Sequence, residues 1–347
     1  MRAAVYYHNR DVRLEERPKP KIGPEELLVK VMASGICGSD VMEWYRSKKA
    51  PRILGHEIAG EVAEVGAAVS DFKAGDRLFV THHVPCNECR YCRAGFHTAC
   101  ETLHSTNFDP GGFAEYIRVP AINVRFGTFL LPPSVSYDEG TFVEPLGCVI
   151  RGQRVAGVKK GDTVLVIGSG ISGLLHIKLA RVYGAAKIIA TDIHDYRLAT
   201  ARRAGADVVL RADGAVPEMV RRANDGRAAD VVIVCAAAEA AFEQAFVSVD
   251  RGGTLLLFAP TAPDVRIPLP LYDLYFKLIK LVFSYAAVAP DIVEAIELLH
   301  AHVIDVADLI THRLTLDDTQ KGFDLVARAG ESIKVVVYPH GIIYPPA

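Results

Sequence analysis

The run Gly168-Ser169-Gly170-Ile171-Ser172-Gly173 constrains this chain more tightly than any other stretch. It follows a short apolar run, Val164–Ile167, and opens a segment, Ser172–Tyr183, in which Leu175, Leu179 and Val182 recur at i, i+4 and i+7. That is a strand, a tight turn and a helix with one buried stripe. The first glycine permits the turn, the second lets the backbone approach a pyrophosphate, and the third lets helix and strand pack closely. The helix start, at Ile171 and Ser172, offers free N–H groups and a partial positive charge to that phosphate. Asp192 ends the next strand-like run, where a carboxylate accepts hydrogen bonds from ribose hydroxyls and repels a 2′-phosphate. NAD is therefore expected over NADP, an expectation that Arg197, five residues on, moderates. A glycine-rich turn with no ligand is the bland alternative, and the joint presence of strand, helix and Asp192 weighs against it.

The surroundings extend this pattern. Strand-like runs Thr163–Ile167, Lys187–Thr191, Val231–Cys235 and Thr254–Phe258 alternate with helix-like runs Arg197–Arg203 and Ala240–Val249. Strands without in/out alternation, separated by helices, indicate a parallel sheet covered on both faces. Before about residue 130 the texture differs: short runs at Leu27–Met32, Ile58–Val65, Arg77–Val80 and Phe113–Pro120, bounded by turns, predict a compact all-β domain. Beyond Tyr285 come a helix, Pro290–His300, with Ile292, Val293, Ile296 and Leu299 on one face, and a strand-like run Lys334–Tyr338. These are assigned back to the first domain, so 1–145 and 286–347 form one domain and 146–285 the other. The 347 residues suffice for two cores.

Charge and hydropathy exclude several functions. With 39 Lys+Arg against 41 Asp+Glu the net charge is −2, without the basic excess that nucleic acids or anionic membranes select. The apolar start Ala3–Tyr7 is too short for a signal-peptide core, and Thr163–Ile177 falls below the roughly 20 residues of a spanning helix. A cytoplasmic location is expected, with no nucleic-acid or membrane partner.

Four of the seven cysteines fall at Cys86-x2-Cys89-x2-Cys92-x7-Cys100, in a polar, turn-rich loop. Four thiolates saturate a tetrahedral zinc and leave no open position, which makes a structural site. The metal would hold a lobe too poor in apolar residues to fold alone. An iron–sulfur cluster is the rival on spacing, and the context of the rest of the chain favours zinc. His82, His83, His97 and His104 read as surface polar residues; Cys148 and Cys235 as packed thiols.

Cys37, in Gly35-Ile36-Cys37-Gly38-Ser39-Asp40, and His56, in Gly55-His56-Glu57, each put a metal ligand among small residues, and Glu144 adds a carboxylate near the domain boundary. Thiolate, imidazole and carboxylate make a three-ligand zinc site with one position open. Nothing in the periodicity brings 37, 56 and 144 together.

Side by side, these runs resemble the zinc-dependent medium-chain dehydrogenase/reductase family, in its sorbitol (polyol) and threonine dehydrogenase-like branch. Gly60-Glu61-Val62, Gly75-Asp76-Arg77-Leu78 and Gly111-Gly112-Phe113-Ala114-Glu115-Tyr116 extend the resemblance over essentially the whole chain. It implies an α/β architecture: a GroES-like β-rich catalytic domain plus a Rossmann doubly wound parallel-sheet cofactor domain, with the active site in the cleft between them. It implies two zinc ions and NAD. Cys37 and His56 would ligate the catalytic zinc, Glu57 would ligate it or sit just behind it, and Glu144 would bind it directly or through its water. Ser39 matches the hydroxyl that passes the substrate proton outward, and Asp40 would orient His56.

Two positions depart from the pattern. Met42 stands where a histidine often completes the proton relay, and Glu43 is an unusual charge beside a substrate cleft. Trp44, Phe108 and Tyr285 are expected to wall the pocket by analogy. The expected reaction interconverts a secondary alcohol (polyol, cyclitol or amino alcohol) and its ketone by hydride transfer. The alternatives are a simple alcohol dehydrogenase or aldehyde reductase, and a catalytically silent NAD-binding protein with structural zinc only. Relatives pair subunits through the segment equivalent to Lys277–Phe283, so a homodimer or homotetramer is implied.

Overall fold

The computed structural model describes residues 1–342 and divides into two compact units. One comprises Met1–Gly147 and the segment from Ala286 onward, the other Cys148–Tyr285. The last five residues of the expected segment 286–347 lie outside the described residues. The division comes two residues after the expected one because the helix Val143–Ala156 runs through it unbroken, and no turn marks the spot.

In the second unit six strands form one fully parallel sheet, ordered Val208–Arg211, Lys187–Asp192, Thr163–Ile167, Ala229–Val234, Val249–Leu257, Lys280–Phe283. Numbered along the unit this is 3-2-1-4-5-6, the doubly wound dinucleotide-binding order. Leu165, Val166, Ile189 and Val232 are fully buried, which is why their runs show no alternation. The stripe on the helix Ile171–Val182 consists of Leu174, Leu175, Ile177, Leu179 and Ala180; Val182, expected in it, closes the helix and faces outward.

The first unit holds a sheet with path Ile310–Thr315, Lys334–Tyr338, Leu27–Ile36, Glu57–Val65, Arg77–Val80, Thr128–Leu130, with Tyr116–Val119 also paired to Leu27–Ile36. A smaller sheet orders Asp11–Glu16, Arg2–His8 and Arg52–Ile53. The expectation of an all-β region is corrected here: short helices at Glu43–Arg46, Arg90–Arg93, Glu101–Ser105 and Ala121–Gly127 interrupt it, each too brief to leave a helical period. Lys334–Tyr338 joins this sheet next to Leu27–Ile36. In the helix Ala289–His300, Ile292, Ile296 and Leu299 are buried while Val293 is exposed, because it stands about 100° round the axis from Ile292.

Phe108, expected in the substrate pocket, is instead enclosed by Leu27, Ile58, Leu78 and Ile117 in the core of this unit. No helix among the described residues is long and apolar enough to cross a membrane.

Candidate active site

Four neighbouring strands of the first unit's sheet end at the same edge, and their ends carry the site. Gly35 pairs with Glu57, so Cys37 follows one strand just where His56 precedes the next. Val335 pairs with Ile36, which brings Lys334 alongside. On the other flank Ala59 pairs with Phe79, and the same register carried three steps further sets His82 opposite His56. Antiparallel register thus assembles residues far apart in the chain.

The ligand atoms of Cys37, His56 and Glu57 all lie within 4.8 Å of one another. Cys37 caps a single 3-10 turn, Gly38–Val41: its Sγ accepts from the Ser39 N–H, and its own N–H donates to Asp40 Oδ2 at 3.0 Å. The other oxygen of Asp40 stands 3.4 Å from His56 Nδ1 and 3.4 Å from Arg46 Nη2. Burial works against the charge on Asp40, but His56, Arg46 and the Cys37 N–H together hold its carboxyl below the usual range. Burial and the Glu57 charge push the Cys37 thiol up. Burial also opposes a proton on His56, yet Asp40 and Cys37 outweigh it and raise its affinity for one. The site therefore calls for a cation, and a thiol, an imidazole and a carboxylate in mutual reach fit zinc with one position open.

Glu57 is almost wholly buried and paired with Lys334, whose Nζ lies 2.5 Å from Oε2, donates to the Thr141 carbonyl at 3.1 Å and stands over the Phe142 ring. Gly35 makes the pair possible: a Cβ there would come within 2.4 Å of both Glu57 Oε2 and Lys334 Nζ. Glu144 is buried in the first turn of the helix Val143–Ala156 and is not one of the three clustered ligands.

His82 overturns its reading as a surface residue. Its ring lies 4.7 Å from that of His56 and 3.9 Å from that of His83. Burial, the flanking histidines, Arg46 and Arg52 hold it well below its ordinary value, so the imidazole is neutral. Burial takes His83 down to about 4. His97 is half-buried and His104 exposed. Ser39 is held by Arg46, which donates to its carbonyl at 3.0 Å and to its Oγ at 2.9 Å. Arg46, His82 and Lys334 were missed by sequence reasoning, and only the sheet register and the short turn after Cys37 could have singled them out. Glu43 and Trp44 lie exposed on the helix Glu43–Arg46, and Tyr285 is exposed at the end of the second unit.

In the cysteine lobe the four Sγ atoms cluster, with Cys89–Cys92 and Cys86–Cys100 each 3.6 Å apart. Zn–S bonds of about 2.3 Å in a tetrahedron require sulfurs slightly under 4 Å apart, so the quartet fits a closed zinc site. Cys92 and Cys100 pack with Leu103 and Val288, which is most of the lobe's apolar core.

In the second unit the glycine loop fits a dinucleotide. A Cβ at Gly173 would fall 1.9 Å from the Gly168 carbonyl, so only glycine allows the helix to start this close to the strand. Beside Gly170 the nearest atom to such a Cβ is Arg197 Nη1 at 3.6 Å, which leaves room above the turn. Asp192 is buried; it accepts from the Ser169 N–H at 2.8 Å and from the His194 N–H at 2.9 Å. Cys235 directly follows a parallel strand, and burial raises its thiol.

Comparison with known proteins agrees with this geometry. The model of the alcohol dehydrogenase GroES-like domain matches residues 23–126, and that of the zinc-binding dehydrogenases matches 172–301. Sorbitol dehydrogenase of Bacillus subtilis (strain 168) is 34% identical, covering 98% of this chain and 98% of its own. A zinc-binding dehydrogenase from Sinorhizobium meliloti 1021 bound to NADP superimposes with a TM-score of 0.88 at 29% identity, over 97% of this chain and 99% of that one. Galactitol-1-phosphate dehydrogenase from Escherichia coli does so with a TM-score of 0.86 at 26% identity, over 98% and 100%. With matches of this extent at both levels, the chain belongs to the zinc-dependent medium-chain dehydrogenases, in their sorbitol dehydrogenase-like branch.

Proposed function

We propose that the protein is a zinc-dependent, NAD-linked oxidoreductase that interconverts a secondary alcohol of a polyol and its ketone. The observation that carries this reading is the cluster of half-buried Cys37 with buried His56 and Glu57, a donor set with an open position instead of a closed cage. Zinc held there supplies Lewis-acid charge that eases loss of a hydroxyl proton, as it lowers the pKa of water to roughly 7. Asp40 fixes the orientation of His56, and Lys334 fixes that of the Glu57 carboxylate. Glu144 joins from the neighbouring helix, directly or through water.

Ser39 takes the substrate proton at Oγ. Arg46 already donates to that oxygen and, being permanently charged, accepts no proton; Met42 has no atom to carry one. The proton therefore leaves Ser39 through water. The Gly168–Gly173 loop takes the pyrophosphate, with Arg197 beside it, and Asp192 disfavours a 2′-phosphate. The relatives' substrates, sorbitol and galactitol 1-phosphate, support a polyol over a short primary alcohol. The edge strand Lys280–Phe283, flanked by exposed Tyr272, Tyr275 and Leu278, supports a homo-oligomer paired there.

Zinc content of the purified protein, with an absorbance screen for NADH across polyols, cyclitols, amino alcohols and short primary alcohols, tests the reading. Two zincs per chain and turnover of polyols are expected; one zinc without turnover overturns it. Cys37→Ala should keep the lobe zinc and lose more than the roughly 10–100-fold in activity that outer-sphere partners of a metal contribute.

A further inference from the structure

His82 is held more firmly than a residue that merely packs. It follows the strand Arg77–Val80, and its backbone is pinned. The Thr81 N–H donates to the Gly127 carbonyl at 2.8 Å, and buried Asn123 donates through Nδ2 to the carbonyls of Thr81 at 2.9 Å and His82 at 3.3 Å. The ring packs on two others, 4.7 Å from that of His56 and 3.9 Å from that of His83. His83 is fixed in turn, since its Nδ1 lies 2.7 Å from the Leu103 carbonyl. Neither ring nitrogen of His82 has a hydrogen-bond partner among the described residues. Nδ1 is sealed from solvent, so Nε2 is the atom at the open part of this half-buried ring. An orphaned buried nitrogen costs free energy, and a phenylalanine in the same slot would avoid that cost. His82 is not one of the three clustered ligands, so metal binding does not account for the imidazole. A hydrogen bond from Nε2 to a molecule seated on the cluster does.

We propose that His82 is a specificity-determining residue: its Nε2 hydrogen-bonds the hydroxyl on the carbon next to the one being oxidised, while the reacting hydroxyl sits at the Cys37–His56–Glu57 cluster. This deepens the polyol reading and rests on it. Because His82 is in ring contact with His56, a candidate ligand, the second hydroxyl of a vicinal diol has only to reach one side chain past the first. An imidazole that keeps one proton donates through one nitrogen and accepts through the other, and a hydroxyl answers either role. That hydroxyl survives the reaction, so the contact serves the diol and the hydroxyketone alike. The pinned backbone and the packed rings hold the nitrogen in place before the substrate arrives, which lets a single hydrogen bond discriminate.

The test compares 2,3-butanediol with 2-butanol in the zinc-loaded enzyme with NAD. In the diol the neighbour of whichever carbon reacts carries the second hydroxyl, which 2-butanol lacks. The diol should lead in kcat/KM by about ten-fold, the size of one hydrogen bond. In His82→Phe, which keeps a flat ring against His56, that ratio should fall toward one. Two amides locate the atom: His82→Gln carries its nitrogen near the place of Nε2 and should restore part of the ratio, whereas His82→Asn carries it near the place of Nδ1 and should not. A wild type without preference for the diol overturns the proposal. So does a His82→Phe enzyme that loses both probes alike, because His82 would then act by holding His56. Calorimetric titration of the zinc-loaded protein gives a readout without turnover: the diol should bind about ten-fold more tightly than 2-butanol, and His82→Phe should remove that advantage. If no polyol is oxidised, the polyol reading fails. The His82 contact then still stands on the affinity ratio, and falls if wild type and His82→Phe give the same one.

Discussion

Gly35 illustrates how much of this site turns on single atoms: one missing methyl group admits a buried charge pair behind the candidate ligand Glu57. Removing one partner of such a pair leaves the other charge uncompensated, at about 3–5 kcal/mol, whereas removing both is far milder. Lys334→Met should therefore cost about that much in denaturant unfolding, and Glu57→Gln combined with Lys334→Met should recover most of it; a single variant within about 1 kcal/mol of wild type would sink the argument. His176 gives a second prediction at this scale. It is fully buried in the second unit, accepts no charge, and is pushed down to about 3 by burial, with Gln153 Nε2 3.2 Å from its Nδ1. Its folded value lies below the ordinary 6.5, so the unfolded chain binds a proton that the folded chain refuses. Stability from this group is complete above pH 6.5 and falls with acid, by roughly 1.4 kcal/mol per pH unit, down to about pH 3. His176→Leu should flatten the pH dependence of unfolding between pH 4.5 and 6 by up to that slope; an unchanged slope would refute it. Of these residues the sequence exposes only identities. Cys37 and His56 were candidates by residue type, and their roles came through resemblance, because nothing local distinguishes a ligand from a packed thiol or imidazole. His82 and Lys334 were passed over because their meaning is a neighbour supplied by another strand, and Arg46 because its meaning is the short turn after Cys37 folding back on it.

At the scale of elements, legibility followed burial. Thr163–Ile167 and Lys187–Asp192 were plain because both faces are covered and their inner residues, Val164–Ile167 and Ile188–Thr191, are all apolar or small. Short helices such as Glu43–Arg46 were not, since one turn carries no period. Val182 and Val293 misled because a helix end or an extra apolar residue completes a stripe on paper while pointing to water. The cysteine lobe was the most legible element, since its ligands are adjacent in the chain and spacing alone sets their reach. Having little core besides Cys92, Cys100, Leu103 and Val288, it depends on its metal. Cys92→Ala should lower zinc from two per chain to one and reduce Tm before it touches the chemistry at Cys37. A variant with one zinc and an unchanged Tm would contradict the structural role.

At the scale of the whole molecule, the second unit leaves an edge strand, Lys280–Phe283, whose Phe283 is 68% exposed near Tyr272 at 76% and Leu278 at 76%. An open edge with large apolar side chains is an association site unless covered. Phe283→Asp with Leu278→Asp should lower the mass seen by light scattering to that of one chain; a wild type that is already monomeric would refute pairing through this edge. By itself the sequence determined what local order can encode. The parallel sheet followed from unalternated apolar runs, the phosphate loop from three glycines between strand and helix, and the metal lobe from four cysteines within fifteen residues. The tertiary structure alone decided which candidate ligands and neighbours are grouped. Cys37, His56, His82 and Lys334 meet because four strands end together, and strand register is set by the hydrogen-bonded pairing of distant segments, which no spacing along the chain records.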